Sequence, residues 1–294
     1  MNQEQRQLFR PRLGKRRLLD QTARLLFAFA VVCAIGVLVW MIFDIVRVGA
    51  QWISIDFFTN FPSRFPAQAG IKSALFGSAW LIIMTVLIAV PIGVGAAVYF
   101  EEFAKRSRWH SMVEINIANL AGVPAILYGL LGLTVFVRFL HFDRSLLAGA
   151  ATMALLILPP IILTAREALK AVPQSIRHAA LAVGATHWQA VRAHVLPAAI
   201  PGIATGLILS VARALGEAAP MILLGALAFV AFVPTSPFDN FTILPVQIFN
   251  WASRPQAEFQ ELAAAGILVL LALLISTNAI AVYWRWRMER KIRW

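Results

Sequence analysis

The 294-residue chain holds one cysteine, three tyrosines and few charges. A single Cys33 excludes an internal disulfide and any cysteine-built metal cluster, and reads as a small apolar residue in a spanning helix. Charged residues make up 14% of the chain, where soluble domains carry about 25%. With 60% hydrophobic residues and a mean hydropathy of +0.75, an ordinary soluble domain is excluded. No Gly-x-x-x-x-Gly-Lys-Ser/Thr phosphate loop is present. The Gly14-Lys15 pair is followed by Arg16, which excludes ATP hydrolysis by the usual route. No Ser, His and Asp arrangement suggests hydrolysis. His187 and His194 have neither a carboxylate companion nor zinc-helix spacing, so no catalytic residue and no metal site is expected. Acidic residues are also scarce, 14 against 26 Lys and Arg, giving a net charge of +12. The basic residues lie between apolar segments rather than on one soluble face, which makes them topogenic rather than a nucleic-acid footprint.

What is present in abundance is apolar sequence. Crossing a hydrocarbon core takes about 20 helical residues. Six stretches qualify, at about 25–46, 73–99, 113–137, 146–165, 199–231 and 262–284. This predicts an all-α integral membrane protein with six transmembrane helices: a basic N-terminal tail over 1–24, then a transmembrane domain over 25–294. The loops on the side of the termini hold 19 Lys and Arg and those on the other side 6, so both termini are expected in the cytoplasm. The first apolar run, Leu25 to Phe43, is too long for a secretory signal and reads as an uncleaved anchor. Trp40, Trp80, Trp109, Trp251 and Trp284 fall near expected span ends, where interfacial aromatics gather. Pro91, Pro124, Pro159-Pro160 and Pro220 should kink the spans that contain them. Glu101 and Glu102, beside Lys105, Arg106 and Arg108, read as a solvated, charge-balanced loop.

The segment "HAALAVGATHWQAVRAHVLPAAIPGI", His178 to Ile203, is half-polar between two apolar runs. Pro173 suits the first turn of a helix, with Ile176, Ala180 and Val183 on one face and Gly184 as its stop. Thr186 and Gln189 form a capping box that opens a second helix, whose apolar stripe is Trp188, Val191 and Val195, and Pro197 closes it. Two short amphipathic helices therefore meet at a corner around Gly184-Ala185. Such a corner can plug into a groove on a partner or lie on lipid headgroups.

The order of residues in this loop resembles the signature of ABC importer permeases: Glu-Ala-Ala, three residues, Gly, nine residues, Ile, one residue, Leu-Pro. His178, Ala179 and Ala180, then Gly184, then Leu196 and Pro197 fall at the matching positions. His178 stands for the family Glu and His194 for the Ile. The likeness covers roughly residues 70–285. "AVPIGVGAAVYFEEFA" (Ala89 to Ala104), "NLAGVPAILYGLLGL" (Asn119 to Leu133) and "RALGEAAPMILLGA" (Arg213 to Ala226) are similar to the PstA family of phosphate importer permeases. Arg166, before Glu167, departs from a family that often has a second acid there.

The resemblance implies the type I ABC importer permease fold, a bacterial inner-membrane location and phosphate as cargo. The loop formed by His178, Ala179, Ala180, Gly184, Ala185, Thr186, Leu196 and Pro197 would then be the cytoplasmic coupling helices, docked on an ATPase. Expected partners are a second, distinct permease, an ATPase dimer that binds ATP and Mg, a periplasmic phosphate-binding protein and membrane lipid, with no cofactor in this chain. Two other functions remain open: import of another oxyanion such as sulfate or molybdate, and a stand-alone secondary transporter, although neither an inverted repeat nor an intramembrane catalytic cluster is apparent. Arg213 and Glu217 form a charged pair inside a span, where each costs about 2.5–3.5 kcal/mol on insertion scales. Four residues apart, they share a helix face. They either pin the helix to its neighbours as an ion pair or line a substrate path, Arg213 presenting a guanidinium fork to phosphate oxygens and Glu217 holding that fork.

Overall fold

A computed structural model describes residues 13–105, 107–226 and 229–289, all helical or irregular apart from an isolated bridge between Ser145 and Asn240. The chain forms two compact units, residues 1–48 and 49–294. Helix α1 (Leu13–Gly49) makes up the described part of the first and starts well before the apolar run at Leu25, so the basic stretch from Leu13 to Arg24 is helical. Residues 1–12 of the expected tail lie outside the described residues.

In the second unit the elements follow as α2 (Ile55–Thr59), α3 (Lys72–Val98, continued by a π turn at Tyr99–Phe103), α4 (Arg108–Ala121) and α5 (Ala125–Gly132, continued by a π turn at Leu133–Phe139). Next come α6 (Leu146–Lys170), α7 (Gln174–Ala182), α8 (His187–Ala190) and α9 (Leu196–Gly216), the last two joined by a π turn at Val191–Val195. The order ends with α10 (Ala219–Leu224), α11 (Leu244–Ala252) and α12 (Ala257–Glu289). Among the described residues, five helical stretches are long and apolar enough to cross a membrane, or six if the bent pair α4 and α5 counts as one span.

Helix α6 is the centre of the second unit: 67% of its most apolar stretch is buried, chiefly against α3 and α9. Lipid supplies no hydrophobic drive between spans, so the helices must associate by close packing. Small residues permit it: Ala148, Ala150, Ala154 and Ala165 of α6 are almost wholly buried. A side chain on Gly206 of α9 would collide with Thr164 of α6. The Thr164 hydroxyl donates back to the Pro160 carbonyl at 2.8 Å, so a polar side chain is satisfied where prolines have disturbed the ladder.

Two expected spans are not straight. The third is bent by 102° between α4 and α5, and the fifth ends at Gly216, with a new helix starting at Ala219. Pro91 and Pro159-Pro160, by contrast, sit inside unbroken helices. The difference lies in the preceding glycine. Gly122 caps α4 two residues before Pro124, and Gly216 ends α9 four residues before Pro220, so a proline that removes a donor falls where the backbone is already free to leave the helix. Across the first bend the Tyr128 hydroxyl donates to the Leu120 carbonyl at 2.8 Å, a strut shared with the Val123 amide, which donates to the same oxygen at 3.1 Å.

The segment after α10, expected as an external loop, folds back. Helix α11 is buried against α12 and α3, and Trp251, read as an interfacial anchor, is completely enclosed with Phe57, Phe259 and Leu262. Trp80, Trp109 and Trp284 do face outward. Before α11, the Asp239 carboxylate accepts from the amides of Ser236 and Thr235, both at 2.8 Å. These bonds hold its carboxyl below the ordinary carboxylate range, the Ser236 amide contributing most.

Candidate functional site

The corner between α7 and α8 is assembled as its punctuation predicts. Pro173 is the N-cap of α7, one position earlier than the first-turn place expected of it. Gly184 has φ +89°, a backbone state that costs other L-residues about 1–2 kcal/mol, and nothing lies within 4 Å of where its Cβ would be. Glycine is therefore required by the turn itself and not by packing inside this chain. Thr186 and Gln189 make both bonds of the capping box.

Around that turn three large apolar side chains face outward: Leu181 is 43% exposed, Val183 85% and Trp188 54%. His178, Ala179 and Thr186 also face outward and Ala185 is half-buried. Ala180 does not belong to this face, since it is 6% exposed and packs inward, because the apolar stripe of a short helix turns toward its own bundle. Leu196 and Pro197 lie a helix away from the turn, in the first turn of α9. Pro197 does not close the second helix as its sequence suggests. The Leu196 amide reaches back five residues to the Val191 carbonyl, and the widened π turn accommodates a residue that cannot donate, so the helix runs on.

No local sequence signal marks what holds the corner. Arg177 of α7 and Glu102, in the π turn that ends α3, form a buried ion pair whose side chains are 10% and 3% exposed. Arg177 Nε donates to both carboxylate oxygens at 3.2 Å, Nη1 to the Val172 carbonyl at 2.7 Å and Nη2 to the Leu169 carbonyl at 3.0 Å. One guanidinium thus joins the end of α3, the end of α6 and the first corner helix. From the second corner helix, His187 Nε2 donates to the Glu102 carbonyl at 2.8 Å, and Phe103 meets the rings of His187 and Trp188. Glu102 is therefore not part of a solvated loop. Its neighbour Glu101 faces Arg166 of α6 across 3.7 Å, and Glu114 of α4 faces the same arginine at 3.1 Å.

Arg213 and Glu217 do meet, with Nε to Oε1 3.5 Å apart, but not along one helix face. Arg213 is in the last turn of α9, and Glu217 caps that helix in an extended conformation. Their side chains are 44% and 25% exposed. The contact is too long for a well-formed hydrogen bond, and among the described residues the Arg213 guanidinium has no other partner, so its N–H fork is available. The break that holds this pair lies against the bend between α4 and α5. A Cβ on Gly129 would stand 2.6 Å from the Pro220 carbonyl oxygen, so α5 and the start of α10 approach at backbone distance. The segments "NLAGVPAILYGLLGL" and "RALGEAAPMILLGA" thus each contain a broken helix, and the two breaks adjoin.

Comparison with known proteins gives a consistent picture. The family described as "Binding-protein-dependent transport system inner membrane component" matches residues 89–290. The chain is 36% identical over 248 residues to the phosphate transport system permease protein PstA of Yersinia pestis, covering 83% of this chain and 82% of that one. It is 34% identical to PstA of Haemophilus influenzae, covering 82% and 84%. Among solved structures it is similar to a chain of a bacterial ABC transporter involved in import of the acidic polysaccharide alginate, with a TM-score of 0.65, 16% identity and coverage of 92% and 99%.

Proposed function

The chain belongs to the family of binding-protein-dependent transport system inner membrane components, and on that premise we propose that it is the permease that carries inorganic phosphate through an ATP-driven importer. It is a multi-pass component of transport with the type I importer permease fold, not an enzyme. The single observation that carries the coupling side of this reading is the corner. Apolar side chains turned outward at a positive-φ glycine, anchored by a buried ion pair to two spans, form a stiff knob that a stand-alone secondary transporter has no need of. Phosphate as cargo rests on the relatives and on the free fork of Arg213.

In this reading an ATPase dimer, binding ATP and Mg, receives the knob on the cytoplasmic side, together with the equivalent knob of a second permease. A phosphate-binding protein delivers cargo from the opposite face. Both termini are cytoplasmic, as the charge asymmetry favours. Closure of the ATPase pulls on Val183 and Trp188. The Arg177–Glu102 clamp passes that pull to the ends of α3 and α6, and the helices move as rigid units.

Replacing Gly184 with Trp should abolish co-purification with the ATPase while leaving membrane abundance unchanged, because the side chain would project from the knob into the groove. Retained co-purification with normal transport would remove the docking role. Labelling of a cysteine at position 184 from outside the cell would reverse the orientation. For the cargo, uptake of labelled phosphate by cells that depend on this chain should be unaffected by a large excess of sulfate. Suppression by sulfate would favour the other oxyanion reading.

A further inference from the structure

Beside the clamp, at the same end of the bundle, lies a cavity of about 300 Å³ that the coupling mechanism does not use. Its polar lining comes from Glu101, His110, Ser111, Glu114, Arg166 and Lys170. The Arg166 side chain is 4% exposed, yet its Nε has no hydrogen-bond partner. One buried guanidinium therefore faces two carboxylates, Glu114 at 3.1 Å and Glu101 at 3.7 Å, so acid exceeds base around Arg166, and Lys170 supplies the second cation of the lining. At the rim stands Lys170, 40% exposed, whose ammonium also meets Glu167 at 3.0 Å.

The depth of the cavity points to its occupant. Lys72–Phe103 is a helical stretch of 32 residues, or about 48 Å at 1.5 Å per residue, against a hydrocarbon core of about 30 Å. Glu101 at its end is thus level with the lipid headgroups. Next to the cavity, α4 turns Met112 and Ile115 outward, 50% and 60% exposed, along an open groove that Ser107, Arg108 and Ser111 also line.

We propose that this cavity holds the headgroup of a zwitterionic aminophospholipid, of the phosphatidylethanolamine kind. The primary ammonium donates to Glu101 and Glu114, the phosphodiester lies toward Lys170 at the rim, and the acyl chains follow Met112 and Ile115. Other ligands fit less well. A small anion would meet two carboxylates, a metal ion would meet Arg166, and the described residues offer no cluster of three metal-ligating side chains. An anionic lipid without an amine would leave the excess carboxylate unanswered, and a quaternary ammonium has no N–H to donate. Because Glu101 adjoins Glu102, an occupied cavity would restrain the same π turn that anchors the corner.

The test is native mass spectrometry of the full chain purified from membranes, offered phosphatidylethanolamine, phosphatidylglycerol and phosphatidylcholine in equal amounts. Phosphatidylethanolamine adducts should predominate. Glu114→Gln, which removes one charged acceptor from a partly exposed position, should lower them about tenfold. Lys170→Ala, at the rim, should lower them in the same direction and keeps the test open if the first variant does not fold. Equal retention of the three lipids, or adducts unchanged in both variants, would overturn the proposal. Displacement of bound lipid by inorganic phosphate would also overturn it, assigning the cavity to the free anion.

Discussion

Glu102→Gln should destabilise the protein by about 3–5 kcal/mol, the expected cost of leaving one partner of a buried ion pair uncompensated. The expectation is this large because the carboxylate is 3% exposed and the Arg177 side chain only 10%. The loss should appear as a lower melting temperature and reduced membrane abundance. Replacing both partners by apolar residues of similar size, Glu102→Leu with Arg177→Met, should recover much of that stability, since a buried pair is often matched by well-packed hydrophobic residues. It should not restore transport, because the bonds from Arg177 to the carbonyls of Val172 and Leu169 are what tie the corner to α6. The reversed pair, Glu102→Arg with Arg177→Glu, should fare worse than the apolar one. It preserves the attraction but places a carboxylate against two carbonyl oxygens. Wild-type transport in the apolar double variant would show that the clamp only holds the fold.

The second large effect is expected on uptake rather than on folding. Arg213→Gln should lower phosphate uptake by roughly a hundredfold, the loss of two charge-assisted hydrogen bonds of about 1.5 kcal/mol each, at unchanged abundance. Abundance should hold because the Arg213–Glu217 pair is long and about half exposed on the arginine side, and such pairs add little to stability. Arg213→Lys keeps the charge but not the fork and should fall between. Exchanging the two residues should not rescue uptake, since position 217 lies beyond the end of α9 in extended backbone and would direct the guanidinium elsewhere. Uptake near wild type in Arg213→Gln would leave the pair with its structural role alone.

What the sequence revealed follows the range of the interactions involved. The capping box at Thr186 and Gln189 and the turn at Gly184 are local, and both could be read directly. The spans were visible as apolar runs, but the breaks at Pro124 and Pro220 required noticing which prolines have a glycine just upstream. Arg177 and Glu102 are 75 residues apart and carry no spacing signal, so Glu102 passed for a solvated acid. The burial of α11 was hidden because "ILPVQIFNWA" is too short to span and sits in a stretch read as an external loop. Only its packing on α12 shows that Trp251 belongs to a core. Charge counting, which places loops by sign, cannot distinguish an arginine that fixes topology from one, such as Arg166, that lines a cavity.

A π turn holds one more residue than an α turn within nearly the same rise. The π turns at Tyr99–Phe103 and Leu133–Phe139 are therefore places where a helix has absorbed an extra residue at its end, while that at Val191–Val195 absorbs one without disturbing the α segments on either side. Removing one residue from the first of them would rotate everything beyond it by about 100° relative to α3. Two adjacent acids now serve two different arginines, and that division depends on the phase of a single turn. Length differences between related chains should therefore gather at these three turns, and a relative one residue shorter before its corner should carry its acids in a shifted register or have lost one of them together with its arginine.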